Sequence, residues 1–186
     1  MPTIVTARLG NIVKQQDCDA IVNSANPSLC AGSGVCGAIH KAAGPELELC
    51  AKQFAPLGLA QVVATPGFNL TNRLVLHCRG PKYNFDPEPA ANLAMCMENI
   101  LLLADKEGVA RIAIPAISMG IYGYPPNEAA PLLVGKALEM VKLLKRVEEI
   151  RFVLTSEILL LLFIDSINNQ SSSSAGTLVC AEGKPL

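Results

Sequence analysis

The chain has 186 residues, 51% of them hydrophobic and 17% charged, with a net charge of −1. That length favours one domain with a substantial core, and that composition excludes a disordered chain. The charge balance argues against a nucleic-acid binder, so a phosphorylated ligand would have to be held by backbone amides and helix ends.

Seven cysteines are present, at Cys18, Cys30, Cys36, Cys50, Cys78, Cys96 and Cys180, and no two of them form a Cys-x-x-Cys pair. Only His40 and His77 stand beside them, so neither a metal nor a cofactor is expected. Small reduced thiols in apolar surroundings point to a cytoplasmic setting. The N-terminus, MPTIVTARLG, lacks the apolar core of a signal peptide. The longest apolar run, Ile158 to Ile164, falls far short of the ~20 residues that span a bilayer and reads as a buried helix. No membrane segment is expected.

Taken in order, Thr3 to Leu9 is β-rich and forms the first predicted strand, ended by the turn Gly10-Asn11-Ile12. Asp17-Cys18-Asp19 leads into a strand at Ala20–Val22. The polar residues Asn23, Ser24 and Asn26 follow, Pro27 stops regular pairing, and the small run Ala31-Gly32-Ser33-Gly34 opens a helix over Val35–Ala43. Pro45 suits the first turn of the next helix, which should reach Gln53. Short strands are predicted at Gln61–Thr65 and Leu74–Cys78. A helix over Ala90–Lys106 has Leu93, Met97, Ile100, Leu101 and Ala104 on one face. Arg111–Ala116 is a continuous apolar strand of the central kind. A second glycine loop, Ser118 to Tyr124, precedes a helix from Pro126 to about Lys145. Ile150–Leu154 is the last predicted strand, Ser156-Glu157 starts the last helix, and a Ser-rich flexible tail is expected from Asn168 onward.

Alternating strands and helices argue for α/β layers around a largely parallel sheet. In such sheets ligands bind beyond the carboxyl ends of the strands. Both glycine loops directly follow apolar strands, so both should lie at that end and could grip two linked phosphates from opposite sides. The alternative is a pair of ordinary strand–helix turns. Neither loop is a Walker A motif or a dinucleotide fingerprint. Asn23 and Asn26 are either turn residues that satisfy their own backbone or ligands for a ribose hydroxyl. Cys36 near a helix start, with His40 one turn later, reads either as an activated thiol pair or as a small residue packed beneath the loop. His77, in an apolar strand, reads as a core or strand-end histidine.

Five ordered segments together resemble the macrodomain family. They are Gly10-Asn11-Ile12, Val22-Asn23-Ser24-Ala25-Asn26, Gly32-Ser33-Gly34-Val35, His77-Cys78-Arg79-Gly80-Pro81 and Pro115 to Gly123. The resemblance spans Thr3 to Ile167, giving one domain over 1–167 and a tail over 168–186. It implies a three-layer α/β/α sandwich with a central mixed, mostly parallel sheet that binds ADP-ribose or an ADP-ribosylated protein as a monomer. Asn11 and Ile12 would meet the adenine end. Ser33, Gly34, Val35 and Cys36, with Ser118, Met119, Gly120, Ile121 and Tyr122, would cradle the diphosphate. Asn26 would hold the distal ribose, with Tyr122 packed beside it, and Ala25 would also contact the ligand.

The implied reaction is hydrolysis of mono-ADP-ribose from modified acidic side chains, with O-acetyl-ADP-ribose deacetylation as a related activity. Asn26, Cys36 and Tyr122 would be its catalytic set, and the attacking water would be oriented by the substrate phosphate. A non-catalytic reader of ADP-ribose or of ADP-ribosylated proteins is the other function the resemblance allows. Three positions depart from the pattern. Asn11 stands where it has Asp, Cys36 where many hydrolases have Asp, and Thr155 where an aromatic often stacks on adenine.

Overall fold

The computed structural model describes residues 3–171 and 179–181. Strand β1 is Ile4–Leu9 and β2 is Ala20–Ser24; α1 is Gly34–Ala43 and α2 is Pro45–Ala51. Then come β3 (Val62–Pro66), β4 (Leu74–Cys78), α3 (Pro89–Lys106) and β5 (Arg111–Ile114). The chain continues through α4 (Pro126–Met140), β6 (Glu149–Leu154), α5 (Glu157–Ser171) and β7 (Val179–Ala181). Prolines at the starts of α2, α3 and α4 fix φ where the missing N–H costs no hydrogen bond.

The strands form one seven-stranded sheet in the order β3-β4-β2-β5-β6-β1-β7. All pairs are parallel except β3 with β4 at one edge. The mixed, mostly parallel sheet expected from the sequence is therefore present. Alternation along each strand sends side chains to opposite faces. On β2, Ala20 and Val22 join the larger core with Met97, Leu133 and Phe163 from α3, α4 and α5. Ile21 joins a second core with Ile39 and Leu47 from α1 and α2. The three-layer sandwich follows from these two cores.

Several predicted boundaries move, each for a local reason. The strand predicted over Arg111–Ala116 ends at Ile114, because Pro115 has no N–H to continue the ladder. The helix predicted to reach Lys145 stops at Met140. The amides of Lys145, Arg146 and Val147 instead donate to Asp105 Oδ1 at 2.8, 2.6 and 3.2 Å, which holds that segment in a turn. The helix predicted through Gln53 ends at Ala51 and tightens into a 3-10 turn over Lys52–Phe54.

The run Ile158–Ile164 is not a wholly buried helix. In α5, Leu160 and Phe163 are buried, while Ile158 and Leu161 are exposed. Nor does the fold stop at Asn168, since α5 continues to Ser171 and Val179–Ala181 pair in parallel with β1. The remainder of the predicted tail lies outside the described residues.

Candidate functional site

Strands β2 and β5 are hydrogen-bonded neighbours. The two glycine loops that follow them therefore leave the sheet side by side at its carboxyl end, as the strand order required.

The loop after β2 is built around Asn26. Its Nδ2 donates to the Cys30 carbonyl at 2.8 Å, and its Oδ1 accepts from the Cys30 amide at 3.2 Å. The Cys30 thiol also donates to Oδ1 at 3.6 Å, so one N–H of the amide remains for a ligand. Ala25 has a different place from the one expected. Its amide donates to the Cys78 carbonyl at 2.8 Å, and its side chain packs with Leu29, Ala51 and Leu57. Ala25 fixes the loop to β4 from below and does not line the cleft.

The chain then enters α1, where the Ser33 hydroxyl makes no capping hydrogen bond. The first-turn amides of Gly34, Val35 and Cys36 thus have no side-chain acceptor at Ser33, and the helix dipole favours an anion in front of them. Gly34 has φ of +58°, and a β-carbon there would face open space. Glycine at this position allows a ligand to approach the backbone closely. Gly37 is needed for packing, because a β-carbon would lie 2.4 Å from the Gly32 carbonyl oxygen.

The loop after β5 contains the non-glycine residue Ser118 at φ +64°. The Ser118 hydroxyl is buried without a hydrogen-bond partner. A strained backbone carrying an orphaned polar group is the kind of feature a functional site retains. The loop is closed by Gly123 N–H to Gly120 O and Tyr124 N–H to Ser118 O, both at 2.9 Å. Tyr83 N–H holds the Tyr122 carbonyl at 3.0 Å, and the Lys82 ammonium stands 5.6 Å from the Tyr122 ring centre. Tyr122 is half-buried, and Ile121 is exposed at the rim.

Beneath the first loop runs a buried polar chain. Asn23 Nδ2 lies 3.1 Å from His77 Nδ1, and His77 Nε2 lies 2.9 Å from Thr65 Oγ1. Thr65 donates to the Pro66 carbonyl, so its hydroxyl accepts from a protonated Nε2, and His77 Nδ1 accepts from Asn23. This is a neutral imidazole, and burial pushes its pKa down to about 4. His77 is thus the core histidine anticipated from the sequence. Asn23 is neither a turn residue nor exposed to a ribose.

Asn23 Nδ2 also reaches Cys36 Sγ at 3.7 Å, and Cys36 Sγ lies 3.5 Å from the Cys30 carbonyl. Burial raises the Cys36 pKa despite the Asn23 contact. The thiol is protonated at neutral pH and its recorded partners do not include His40, which disfavours the activated-thiol reading. His40 Nε2 is itself buried without a partner.

The two loops enclose a cavity of about 270 Å³ lined by Asn26, Ser33, Cys36, Ser118 and Tyr122, among others. A second cavity of about 610 Å³ is lined by Asn11, Ile12, Val35, Met119, Val153 and Thr155, with other mostly apolar neighbours. Gly34, Val35, Ala116 and Gly120 line both, so the two form one cleft with a polar end and an apolar end. No Asp, Glu, His, Lys or Arg lines either part. Of the expected binding residues, all but Ala25 line this cleft. The sequence did not mark Val153 and Leu159, which complete the apolar end; apolar residues near a strand end carry no local sign that they face a ligand.

A protein-family model described as Macro domain matches residues 22–133. The chain belongs to the macro domain family. It is 44% identical over 135 residues to macro domain-containing protein RSc0334 of Ralstonia nicotianae, covering 72% of this chain and 79% of that one. It is 38% identical over 161 residues to an O-acetyl-ADP-ribose deacetylase of Salmonella newport, covering 82% and 90%. Its fold matches that of an Oceanobacillus iheyensis macrodomain variant solved with ADPR. The TM-score is 0.85 at 33% identity, covering 89% of this chain and 92% of that one. In this macrodomain the five segments that carried the resemblance converge on the cleft or on its floor. No helix among the described residues is long and apolar enough to cross a membrane.

Proposed function

We propose that this macrodomain binds ADP-ribose in the joined cleft and hydrolyses the bond between the distal ribose and a modified acidic side chain. The observation that carries the reading is the division of the cleft. Its polar end presents the amides at the start of α1 and the unpartnered Ser118 hydroxyl, which suit a diphosphate without a cation. Its apolar end, between Ile12, Val35 and Val153, suits a heteroaromatic base.

The neutral lining decides how hydrolysis would proceed. Cys36 and Tyr122 are the only readily titratable side chains along the cleft, and burial raises the pKa of both. Neither is a base near neutral pH. A water activated by the substrate's own phosphate, with Asn26 and Tyr122 fixing the ribose, is the route that such a lining allows. The Salmonella relative's name describes cleavage of an ester on ADP-ribose, and an aspartyl or glutamyl ester of the ribose is the same bond class. The same absence of a protein base favours the second reading, a non-catalytic reader.

One experiment separates the two. Calorimetry with ADP-ribose establishes binding, and incubation with a mono-ADP-ribosylated acidic acceptor follows release of ADP-ribose. Binding with release supports the hydrolase, binding without release the reader. No binding of ADP-ribose overturns both.

A further inference from the structure

The turn that carries Asn11 and Ile12 is fixed from behind by residues that never reach the cleft. Arg151 on β6 is buried and bidentate twice over. Its Nε and Nη2 donate to Glu149, both at 2.8 Å. Its Nη1 and Nη2 donate to Asp17 at 2.8 and 2.7 Å. Glu149 is further held by the Thr6 hydroxyl at 2.9 Å. With both carboxylates seated, the guanidinium has little freedom to turn.

Its Nη1 has one more acceptor, Gln15 Oε1 at 3.2 Å. Arg151 therefore sets which end of the Gln15 amide faces it, and the other end is committed. Gln15 Nε2 donates to the Asn11 carbonyl at 3.0 Å. The Gln15 backbone is pinned as well, because Asn72 Nδ2 donates to the carbonyls of Gln15 and Cys18 at 2.8 and 2.7 Å. Gln15 is buried, and a β-carbon on Gly10 would stand 3.4 Å from its Nε2. The amide thus packs directly under the Gly10-Asn11 turn.

We propose that Gln15, oriented by Arg151, is a positioning residue that sets the Asn11–Ile12 turn and thereby the fit of the nucleobase at the apolar end. The inference rests on the ADP-ribose reading. Gln15 acts through Asn11 and touches no ligand. A mobile turn would admit the base in several poses, and affinity would fall by the ordering cost. The loss would centre on the base, because the phosphate cradle is built from other elements.

Two variants and two ligands test it. Gln15→Met removes both side-chain bonds. Gln15→Glu keeps an acceptor for Arg151 but has no donor for the Asn11 carbonyl. Binding of ADP-ribose and of its hypoxanthine counterpart is measured by calorimetry, alongside the melting temperature. The expected result is a loss of about five- to tenfold in ADP-ribose affinity in both variants. The loss for the hypoxanthine ligand should be smaller, so that discrimination between the bases narrows even where a variant melts like the wild type. Unchanged affinities overturn the proposal, as do losses that are equal for both ligands or that follow the melting temperature alone. Wild-type protein that binds neither ligand overturns the ADP-ribose reading itself.

Discussion

A β-carbon on Gly80 would stand 2.2 Å from the Ser118 hydroxyl and 2.8 Å from Ile117 Cγ2. The Gly-Pro step after β4 is therefore what makes room for the second loop. Gly80→Ala should push Ser118 out of place, lowering both the melting temperature and ADP-ribose affinity, the latter by at least about tenfold. Adding Ser118→Gly removes the 2.2 Å contact but leaves the one to Ile117, so it should recover part of the stability without recovering affinity. Thermal unfolding and calorimetry on the single and double variants check both parts.

Ser118→Gly alone should separate stability from binding. The left-handed backbone at Ser118 costs about 1–3 kcal/mol, and its unpaired buried hydroxyl a similar about 1–3 kcal/mol. Glycine relieves both but loosens the unfolded chain by about 1 kcal/mol. The net gain is at least about 1 kcal/mol, so the ligand-free variant should melt at least about 2–4 °C higher than the wild type. Its ADP-ribose affinity should nevertheless fall about tenfold, because the donor is gone. A variant that melts lower, or binds as well as the wild type, contradicts a functional role for the strain.

Asn26 and Cys36 should differ in consequence although they line the same cavity. Asn26→Ala releases all three bonds to Cys30 and frees the ribose-side loop, so turnover should drop by roughly ten- to hundredfold. Cys36→Ala removes a protonated thiol with only long contacts to Asn23 and Cys30, and its effect should stay within about threefold. Single-turnover release of ADP-ribose decides. Equal or reversed losses would return the thiol to the mechanism.

Stability should weaken with acidity in two windows. Burial lowers the His77 pKa from 6.5 to about 4. The unfolded chain then binds a proton that the folded chain resists, so stability falls as pH drops from about 6.5 to about 4. The loss amounts to about 3 kcal/mol. His40 shifts in the same direction, also through burial. Asp17 is lowered too, but because its charged form is stabilised. The hydrogen bond from Arg151 holds its carboxyl down to about 2 from 3.8. The stability it contributes is present above 3.8 and disappears as pH falls toward 2. Urea unfolding across pH should show both windows, and His77→Gln should shrink the upper one to the His40 share while leaving the lower one in place.

Much of the fold was legible along the chain, because the signals involved are local. Hydrophobic periodicity marked α3 and its buried face, with Leu93, Met97, Ile100, Leu101 and Ala104 all at 0% exposure. The unbroken apolar run Ile112–Ile114 indicated a central strand, and β5 lies between β2 and β6. Small residues after β2 and β5 placed two loops at one end of the sheet. The order of the five segments indicated the family.

What needed the tertiary structure was every relationship between residues far apart in the chain. Arg151 meets Asp17 across 134 positions, and the same Nη1 holds Gln15, with nothing in its neighbours to mark it. Ala25 is drawn under the loop by Cys78, and Ser118 is placed by the space Gly80 leaves. The sequence reading carried α4 on to about Lys145, and a carboxylate from α3, Asp105, holds the segment after Met140 in a turn instead. The sequence by itself determined the elements and the chemistry of the two loops, since propensity, turn residues and periodicity act within a few residues. Which groups are consumed by the scaffold and which remain for a ligand was decided only on folding, because hydrogen bonds and burial are settled between elements.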